Sequence, residues 1–259
     1  MRITVLGKSP AWADAGGACS GYLVESGGAC LLLDCGPGVL GKLRALHDYA
    51  AVDAVVLSHL HADHMLDLVP YASALCFGGA ARRPDGSRAR PVLHAPPGAR
   101  EALARVCTGS GMRGTHVENA FALREYDPAE RLEVGPMRLR FQPVPHYVPA
   151  HAVEVADDGA RMTFSSDCGP NEELAAFARG TGLLLVEATM SEEEAAGAGD
   201  DRGHLTPREA GEQARRAGAA RVVLTHISDE LDIAAALEQA AAAFGAAVEV
   251  AAERAVYEL

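Results

Sequence analysis

The feature that most constrains this chain is a cluster of metal-binding side chains directly after a short apolar run. Residues 54–57 are Ala, Val, Val and Leu, which is typical of a buried strand, and His59, His61, Asp63 and His64 follow within seven positions. Imidazole nitrogens and carboxylate oxygens are good ligands for zinc and similar divalent ions. A single zinc site needs only three protein ligands and a water. Four ligands this close together therefore favour two adjacent ions over a surface cluster of polar histidines.

Three further candidate ligands each lie just beyond a segment with strand character. They are His146 after residues 137–142, Asp167 after residues 162–164 and His226 after residues 221–225. Strand ends of an α/β sheet meet at one edge, where such folds place their sites, so we expect all seven side chains to converge. We assign His59, His61 and His146 to one ion, Asp63, His64 and His226 to the other, and Asp167 to a bridging position.

This ligand set resembles that of the metallo-β-lactamase superfamily, and more narrowly its ribonuclease Z-like phosphodiesterase branch. The branch resemblance rests on Leu33-Asp34-Cys35-Gly36, Val186-Glu187-Ala188-Thr189, Gly203-His204-Leu205-Thr206, Leu224-Thr225-His226-Ile227-Ser228, and His146 with Pro149. It covers nearly the whole chain. The resemblance implies an α/β protein with a four-layer αββα sandwich, a single domain over residues 1–259, and a dinuclear metal-dependent hydrolase.

The expected catalytic residues are Asp63, His204 and Glu187. Two ions about 3.5–4 Å apart can share a hydroxide and polarise the oxygen that it attacks. His204 would stabilise the phosphate charge or act as general acid, and the resemblance implies that Glu187 holds its ring. A capping or solvated loop histidine is the simpler alternative for His204. Zinc is the expected metal, although manganese and iron accept similar ligands.

The chain departs from ribonuclease Z in the interval between His146 and Asp167, where most such proteins carry a long tRNA-binding arm. Here residues 147–166 leave room for one hairpin, and Pro37 stands where the branch often has Glu. Both departures argue against tRNA maturation and favour a small nucleotide or cyclic-nucleotide substrate. Two alternatives stay open: a lactone, thioester or β-lactam hydrolase on the same metals, and a non-catalytic accessory protein of a biosynthetic pathway.

Composition limits the partners. The 259 residues have a net charge of -12, which argues against binding to long nucleic acids, and we expect the arginines at 82, 83, 88 and 90 to lie on a solvated loop. We expect neither a signal peptide nor a membrane-spanning segment, since the apolar stretches are too short for either. Six cysteines without CxxC spacing indicate reduced thiols of a cytoplasmic protein. A small-molecule substrate is the expected partner. Whether the protein also forms a homodimer stays open.

Two similar halves, residues 1–120 and 132–259, each predict one sheet and its helices. The predicted helices span residues 38–47, 99–106, 171–179, 207–217 and 229–244, the fourth with Thr206 as N-cap and Glu209 near its third position. Residues 192–203 predict a surface connection, with a mobile flap as the alternative. We expect the Cys168 side chain to point away from the metals, and His151 is a candidate for the pocket wall.

Overall fold

A computed structural model describes residues 1–82, 86–198 and 202–259, in which two mixed β-sheets pack face to face. The first sheet runs in the order β14-β1-β2-β3-β4-β5-β6. Its strands are β1 (Arg2–Gly7), β2 (Gly21–Ser26), β3 (Ala29–Leu33), β4 (Ala54–Val56), β5 (Val92–Ala95), β6 (Ala122–Glu125) and β14 (Val256–Glu258). The strands from β3 to β6 are parallel, so their carboxyl ends share one edge.

The second sheet runs in the order β13-β12-β11-β10-β9-β8-β7. Its strands are β7 (Leu132–Val134), β8 (Met137–Val144), β9 (Ala150–Ala156), β10 (Arg161–Phe164), β11 (Leu183–Glu187), β12 (Val222–Thr225) and β13 (Glu249–Val250). Here β10 to β13 are parallel, while β7 to β10 form antiparallel hairpins. The predicted alternation in β8 is confirmed, since Met137, Leu139 and Phe141 are buried between more accessible Arg and Gln side chains.

Helices cover the outer face of each sheet. The helices are α1 (Val39–Leu46), α2 (Ala62–Met65), α3 (Leu68–Phe77), α4 (Ala99–Gly109), α5 (His116–Ala120), α6 (Glu173–Phe177), α7 (Glu192–Ala198), α8 (Pro207–Ala217) and α9 (Ile233–Phe244). No helix in the described ranges is long and apolar enough to cross a membrane.

Three apolar layers hold these elements together. One lies between the sheets and joins side chains of both, such as Leu31 and Val153. A second packs the first sheet against α1, α3, α4 and α5, and a third packs the second sheet against α6, α8 and α9. Burial of such faces is the main favourable term in folding. The predicted four-layer αββα sandwich is confirmed.

The five predicted helices are present, with shifted ends in four of them. The helix at residues 207–217 has the predicted bounds because its start is fixed by a capping box: Thr206 Oγ1 accepts from the Glu209 backbone N–H, and Glu209 Oε2 accepts from the Thr206 N–H. Helices α2, α3 and α5 were not predicted.

Three predictions need correction or qualification. Residues 192–198 form α7 instead of a loop, and residues 199–201 of that stretch lie outside the described residues. The division into one sheet per half fails at the C-terminus, where β14 crosses over to pair with β1 in the first sheet. The arginine loop is held by its own side chains, since Arg88 donates to the carbonyls of Leu75 and Gly78 at the end of α3. Arg83 lies outside the described residues.

Candidate metal centre

All seven predicted ligands lie at one edge of the sandwich, beyond the carboxyl ends of strands. His59, His61, Asp63 and His64 follow β4 in the first sheet and run into α2. His146 follows β8, Asp167 follows β10 and His226 follows β12 in the second sheet. Both sheets therefore contribute side chains to the same small volume.

The side chains form two groups that share Asp167. In the first group, potential ligand atoms of His59, His61, His146 and Asp167 all lie within 4.8 Å of one another, and the second group contains Asp63, His64, Asp167 and His226 on the same criterion. These are the two sets assigned from the sequence, with Asp167 common to both. Their role as ligands remains our proposal.

The spacing of the donor atoms suits divalent ions. Two ligands held tetrahedrally about 2.1 Å from a zinc ion lie about 3.4 Å apart. Here Nε2 of His64 lies 3.4 Å from Asp63 Oδ2 and 3.3 Å from Asp167 Oδ1, and Nε2 of His226 lies 3.4 Å from Asp167 Oδ2. His59 Nε2 and Asp167 Oδ1 are buried without a hydrogen-bond partner. Buried polar atoms without partners are costly, so a bound cation would satisfy both.

Hydrogen bonds turn the rings of His64, His146 and His226 so that Nε2 faces the group. His64 Nδ1 donates to Asp34 Oδ2 at 2.7 Å, because a carboxylate can only accept. His146 Nδ1 donates to the Gly203 carbonyl at 2.7 Å, and His226 Nδ1 lies 2.8 Å from Thr189 Oγ1. Partners of this kind fix the tautomer and orientation of metal-binding histidines.

The charges of the group also favour cation binding. Burial lowers the pKa of His59 well below its usual value, and burial likewise lowers the pKa values of His61 and His146. These rings are therefore neutral and can bind a metal. Burial opposes ionisation of Asp167, yet His226 and His64 hold its pKa well below the usual range. For His64, burial is outweighed by the carboxylates of Asp167 and Asp34, which raise its pKa. A cation at Nε2 would replace that proton.

Beside the metal groups, Glu187 joins three segments of the site. Its Oε1 accepts from the Cys168 N–H at 2.8 Å and from His204 Nδ1 at 2.9 Å. Its Oε2 accepts from the Thr189 hydroxyl at 2.7 Å and from the backbone N–H groups of Thr189 and Leu205, both at 3.2 Å. The carboxylate is fully buried. The predicted contact between Glu187 and His204 is present.

His204 lies between the metal groups and the surface. Its ring is 5.0 Å from that of His146 and 5.5 Å from that of His226, between centroids, and its side chain is 18% exposed. Burial alone would lower its pKa, but the neighbouring Glu187 carboxylate outweighs burial and raises the pKa of His204 to about 9. The ring is therefore doubly protonated and positively charged at neutral pH in the metal-free chain.

Sequence reasoning missed the supporting residues of the site. Asp34 is buried and accepts from His64 and from both the N–H and the hydroxyl of Ser58. Thr189 links Glu187 to His226. Both residues stand in the motifs that carried the family resemblance, which was the available signal. The histidine partners of Asp34 and Thr189 lie 30 and 37 residues away along the chain, so these pairings could not be read from a local pattern.

The backbone is strained at three turns that follow strands and lead into the site. Asp34, Ser166 and His226 have φ angles of 58°, 57° and 49°. Left-handed conformations are unfavourable for residues with a side chain and are retained at functional sites when surrounding contacts enforce them. Each of the three lies at the end of a strand, where the turn directs the chain across the site.

Two residues near the site do not join the metal groups. Cys168 packs in the apolar layer below the second sheet, as expected from its position beside Asp167. His151 was a candidate for the pocket wall. It is buried, with its ring nitrogen near the Ser58 carbonyl and the Tyr126 hydroxyl, and it therefore supports the loop that carries His59.

Comparison with known proteins shows the family to which the chain belongs. The sequence profile of the family described as "Beta-lactamase superfamily domain" matches residues 30–227. A Bacillus subtilis strain 168 protein, "Probable metallo-hydrolase YhfI", is 30% identical over 227 residues, covering 88% of this chain and 87% of the relative.

Two further matches extend over almost the whole chain. The crystal structure of YhfI from B. subtilis superposes with a TM-score of 0.86 at 26% identity, covering 99% of this chain and 98% of that one. A ribonuclease Z from Myxococcus xanthus strain DK1622 is 28% identical over 301 residues, covering 97% of this chain and 95% of the relative. The chain therefore belongs to the beta-lactamase superfamily, has the metallo-β-lactamase fold, and counts ribonuclease Z and YhfI among its relatives.

Proposed function

We propose that the protein is a metal-dependent phosphodiesterase that acts on a small nucleotide or cyclic-nucleotide substrate. The observation that carries the proposal is His204, a histidine whose ring is oriented by a buried carboxylate and placed against both metal groups. A hydrolase that acts on lactones or thioesters has no phosphate oxygen to protonate, so it does not need a charged histidine beside the metals. The relatives named ribonuclease Z support phosphodiester chemistry.

Seven side chains would hold the metal pair: His59, His61 and His146 at one ion, Asp63, His64 and His226 at the other, and Asp167 between them. When bound, a pair of divalent ions, of which zinc fits these ligands, supplies water activated for attack near neutral pH.

The remaining chemistry belongs to the chain. His204 uses Nδ1 to bind Glu187, which leaves Nε2 to donate a proton to a phosphate oxygen or to the leaving oxygen. Glu187 keeps the ring charged and in one orientation. Because Glu187 also holds Thr189 and the Cys168 N–H, it ties His204 to the segments that carry His226 and Asp167.

The short connection between His146 and Asp167 supports a small substrate. It contains only the β9–β10 hairpin, whose turn spans residues 157–160. The alignment with the Myxococcus ribonuclease Z is longer than this chain, so that relative carries stretches that this chain lacks. A net charge of -12 gives no electrostatic attraction for a long polyanion.

A hydrolysis screen tests the proposal. Protein of measured metal content would be assayed with bis(p-nitrophenyl) phosphate, a 3′,5′-cyclic nucleotide, a lactone and a thioester. Metal-stripped protein would serve as the control. We expect metal-dependent hydrolysis of the phosphodiesters at rates well above those of the lactone and thioester. Faster hydrolysis of the lactone or thioester would overturn the phosphodiesterase assignment, and inactivity on all four would favour a non-catalytic accessory protein.

A further inference from the structure

Tyr147, the residue after His146, presents an aromatic ring at the mouth of the metal centre. The residue is 65% exposed, although tyrosine is typically of intermediate burial. Its ring centroid lies 5.1 Å from that of His146 and 5.9 Å from that of His204. The ring therefore stands next to a predicted metal ligand and the predicted proton donor, while most of its surface faces solvent.

Contacts on one side hold the ring in place. Gly203 packs against it so closely that an added Cβ would lie 2.8 Å from Tyr147 Cε2 and 2.8 Å from His146 Nδ1. The Gly203 carbonyl also accepts from His146 Nδ1. The absence of a side chain at residue 203 thus lets both rings lie against the segment that leads to His204. A loose surface tyrosine would have no such support.

We infer that Tyr147 is a stacking platform for a nucleobase of the substrate, so that the protein acts on nucleotide esters in preference to phosphodiesters without a base. This inference rests on the proposed function and names its substrate class. Exposed aromatic rings beside a phosphate site bind bases by stacking, and they do so with little regard to base identity. In an acidic chain, stacking supplies affinity for a nucleotide that electrostatic attraction to the surface does not.

Tyr147 is a specificity residue in this scheme, since it does not touch the reacting atoms. Its removal should weaken binding of base-containing ligands and leave phosphate binding alone. Direct binding to the metal-replete protein separates the two contributions, with adenosine 5′-monophosphate and ribose 5-phosphate as probes. Both contain a 5-phosphorylated ribose, and C1′ carries the base in the first and a hydroxyl in the second.

We expect isothermal titration calorimetry to give a Kd for adenosine 5′-monophosphate at least about fivefold lower than that for ribose 5-phosphate. Tyr147→Ala should raise the Kd for adenosine 5′-monophosphate and leave the Kd for ribose 5-phosphate unchanged, so that the difference disappears. Tyr147→Phe should retain both values. Phe77→Ala removes another exposed aromatic ring, at the distant end of α3, and should change neither.

Three results would overturn the inference: equal Kd values for the two probes in the unaltered protein, full discrimination in Tyr147→Ala, or an equal loss of both ligands in that variant at unchanged metal content. The last would indicate a general disturbance of His146. Failure of the proposed function is distinguishable. Base-dependent binding without diester hydrolysis would support stacking on Tyr147 and contradict the phosphodiesterase function. Diester hydrolysis without base discrimination would support the phosphodiesterase function and contradict stacking on Tyr147.

Discussion

At the scale of single residues, His204 offers the sharpest test of the chemistry. We expect His204→Ala to slow phosphodiester hydrolysis by about 10²–10⁴-fold with metal content unchanged, because general acid–base or charge-stabilising groups contribute on that order. The measurement is kcat/KM on bis(p-nitrophenyl) phosphate, with metal quantified in each variant. His47→Ala, at the end of α1, controls for the loss of a histidine away from the site. Full activity of His204→Ala would remove the main support for the phosphodiesterase assignment.

Glu187→Gln should lower both activity and stability. The carboxylate accepts five hydrogen bonds, two at Oε1 and three at Oε2. An amide presents a donor on one side, so at least two buried donors lose their acceptor, at roughly 1–3 kcal/mol each. Thermal unfolding should therefore show a lower Tm, and kcat/KM should fall. A variant with unchanged Tm would mean that the backbone donors find other partners.

At the scale of elements, the turn after β3 fixes the ligand loop. Cys35 N–H donates to the His64 carbonyl, and a Cβ on Gly36 would lie 1.8 Å from the Asp63 carbonyl oxygen. We expect Gly36→Ala to displace the Asp63–His64 segment, lower bound metal to below one ion per chain and reduce Tm. Gly41→Ala is the matched control, since its Cβ meets nothing within 4 Å inside α1 and should raise stability by about 0.5–1 kcal/mol. Unchanged metal content in Gly36→Ala would contradict this role.

The elements also show where sequence reasoning succeeds. Strand β8 and helix α8 were predicted because alternation, Pro207 and the Thr206 cap are local signals. Helix α3 was missed because it begins only a few residues after the ligand cluster and is apolar around most of its surface, so it carries no strong amphipathic period. Helix α7 was taken for a loop because its acidic, Gly- and Ala-rich sequence resembles a connection. Strand β14 joins the first sheet by pairing Arg2 with Glu258, near the two ends of the sequence, which no local pattern encodes.

In the candidate site, too, some features could be predicted from local sequence signals and others could not. The two groups around Asp167 followed from ligand types at strand ends, because parallel strands bring their carboxyl ends to one edge. Asp34 and Thr189 could not be derived this way. Their function depends on which ring nitrogen they meet, and that is set by the left-handed turns at Asp34 and His226 and by packing between the two sheets.

At the scale of the whole molecule, bound metal should join the two sheets. Each group draws ligands from loops of both sheets, His59 and His61 from the first and His146 from the second, for example. We expect elemental analysis of metal-replete protein to find two divalent ions per chain, and chelation to lower Tm, because ligands that bind only the folded state stabilise it. One ion or none per chain, or a Tm that does not respond to chelation, would contradict the paired site.

The whole molecule should also be a poor tRNA-processing enzyme despite its ribonuclease Z relatives. The connection between His146 and Asp167 is a short hairpin with no room for an arm, and a net charge of -12 gives the chain no overall electrostatic attraction for a folded RNA. We expect 3′ cleavage of a tRNA precursor at physiological salt to be slow and unspecific, in a preparation that hydrolyses bis(p-nitrophenyl) phosphate readily. The small diester serves as the control for active metal. Rapid cleavage at one site would show that tRNA is held by another surface, and it would make a small nucleotide the secondary substrate.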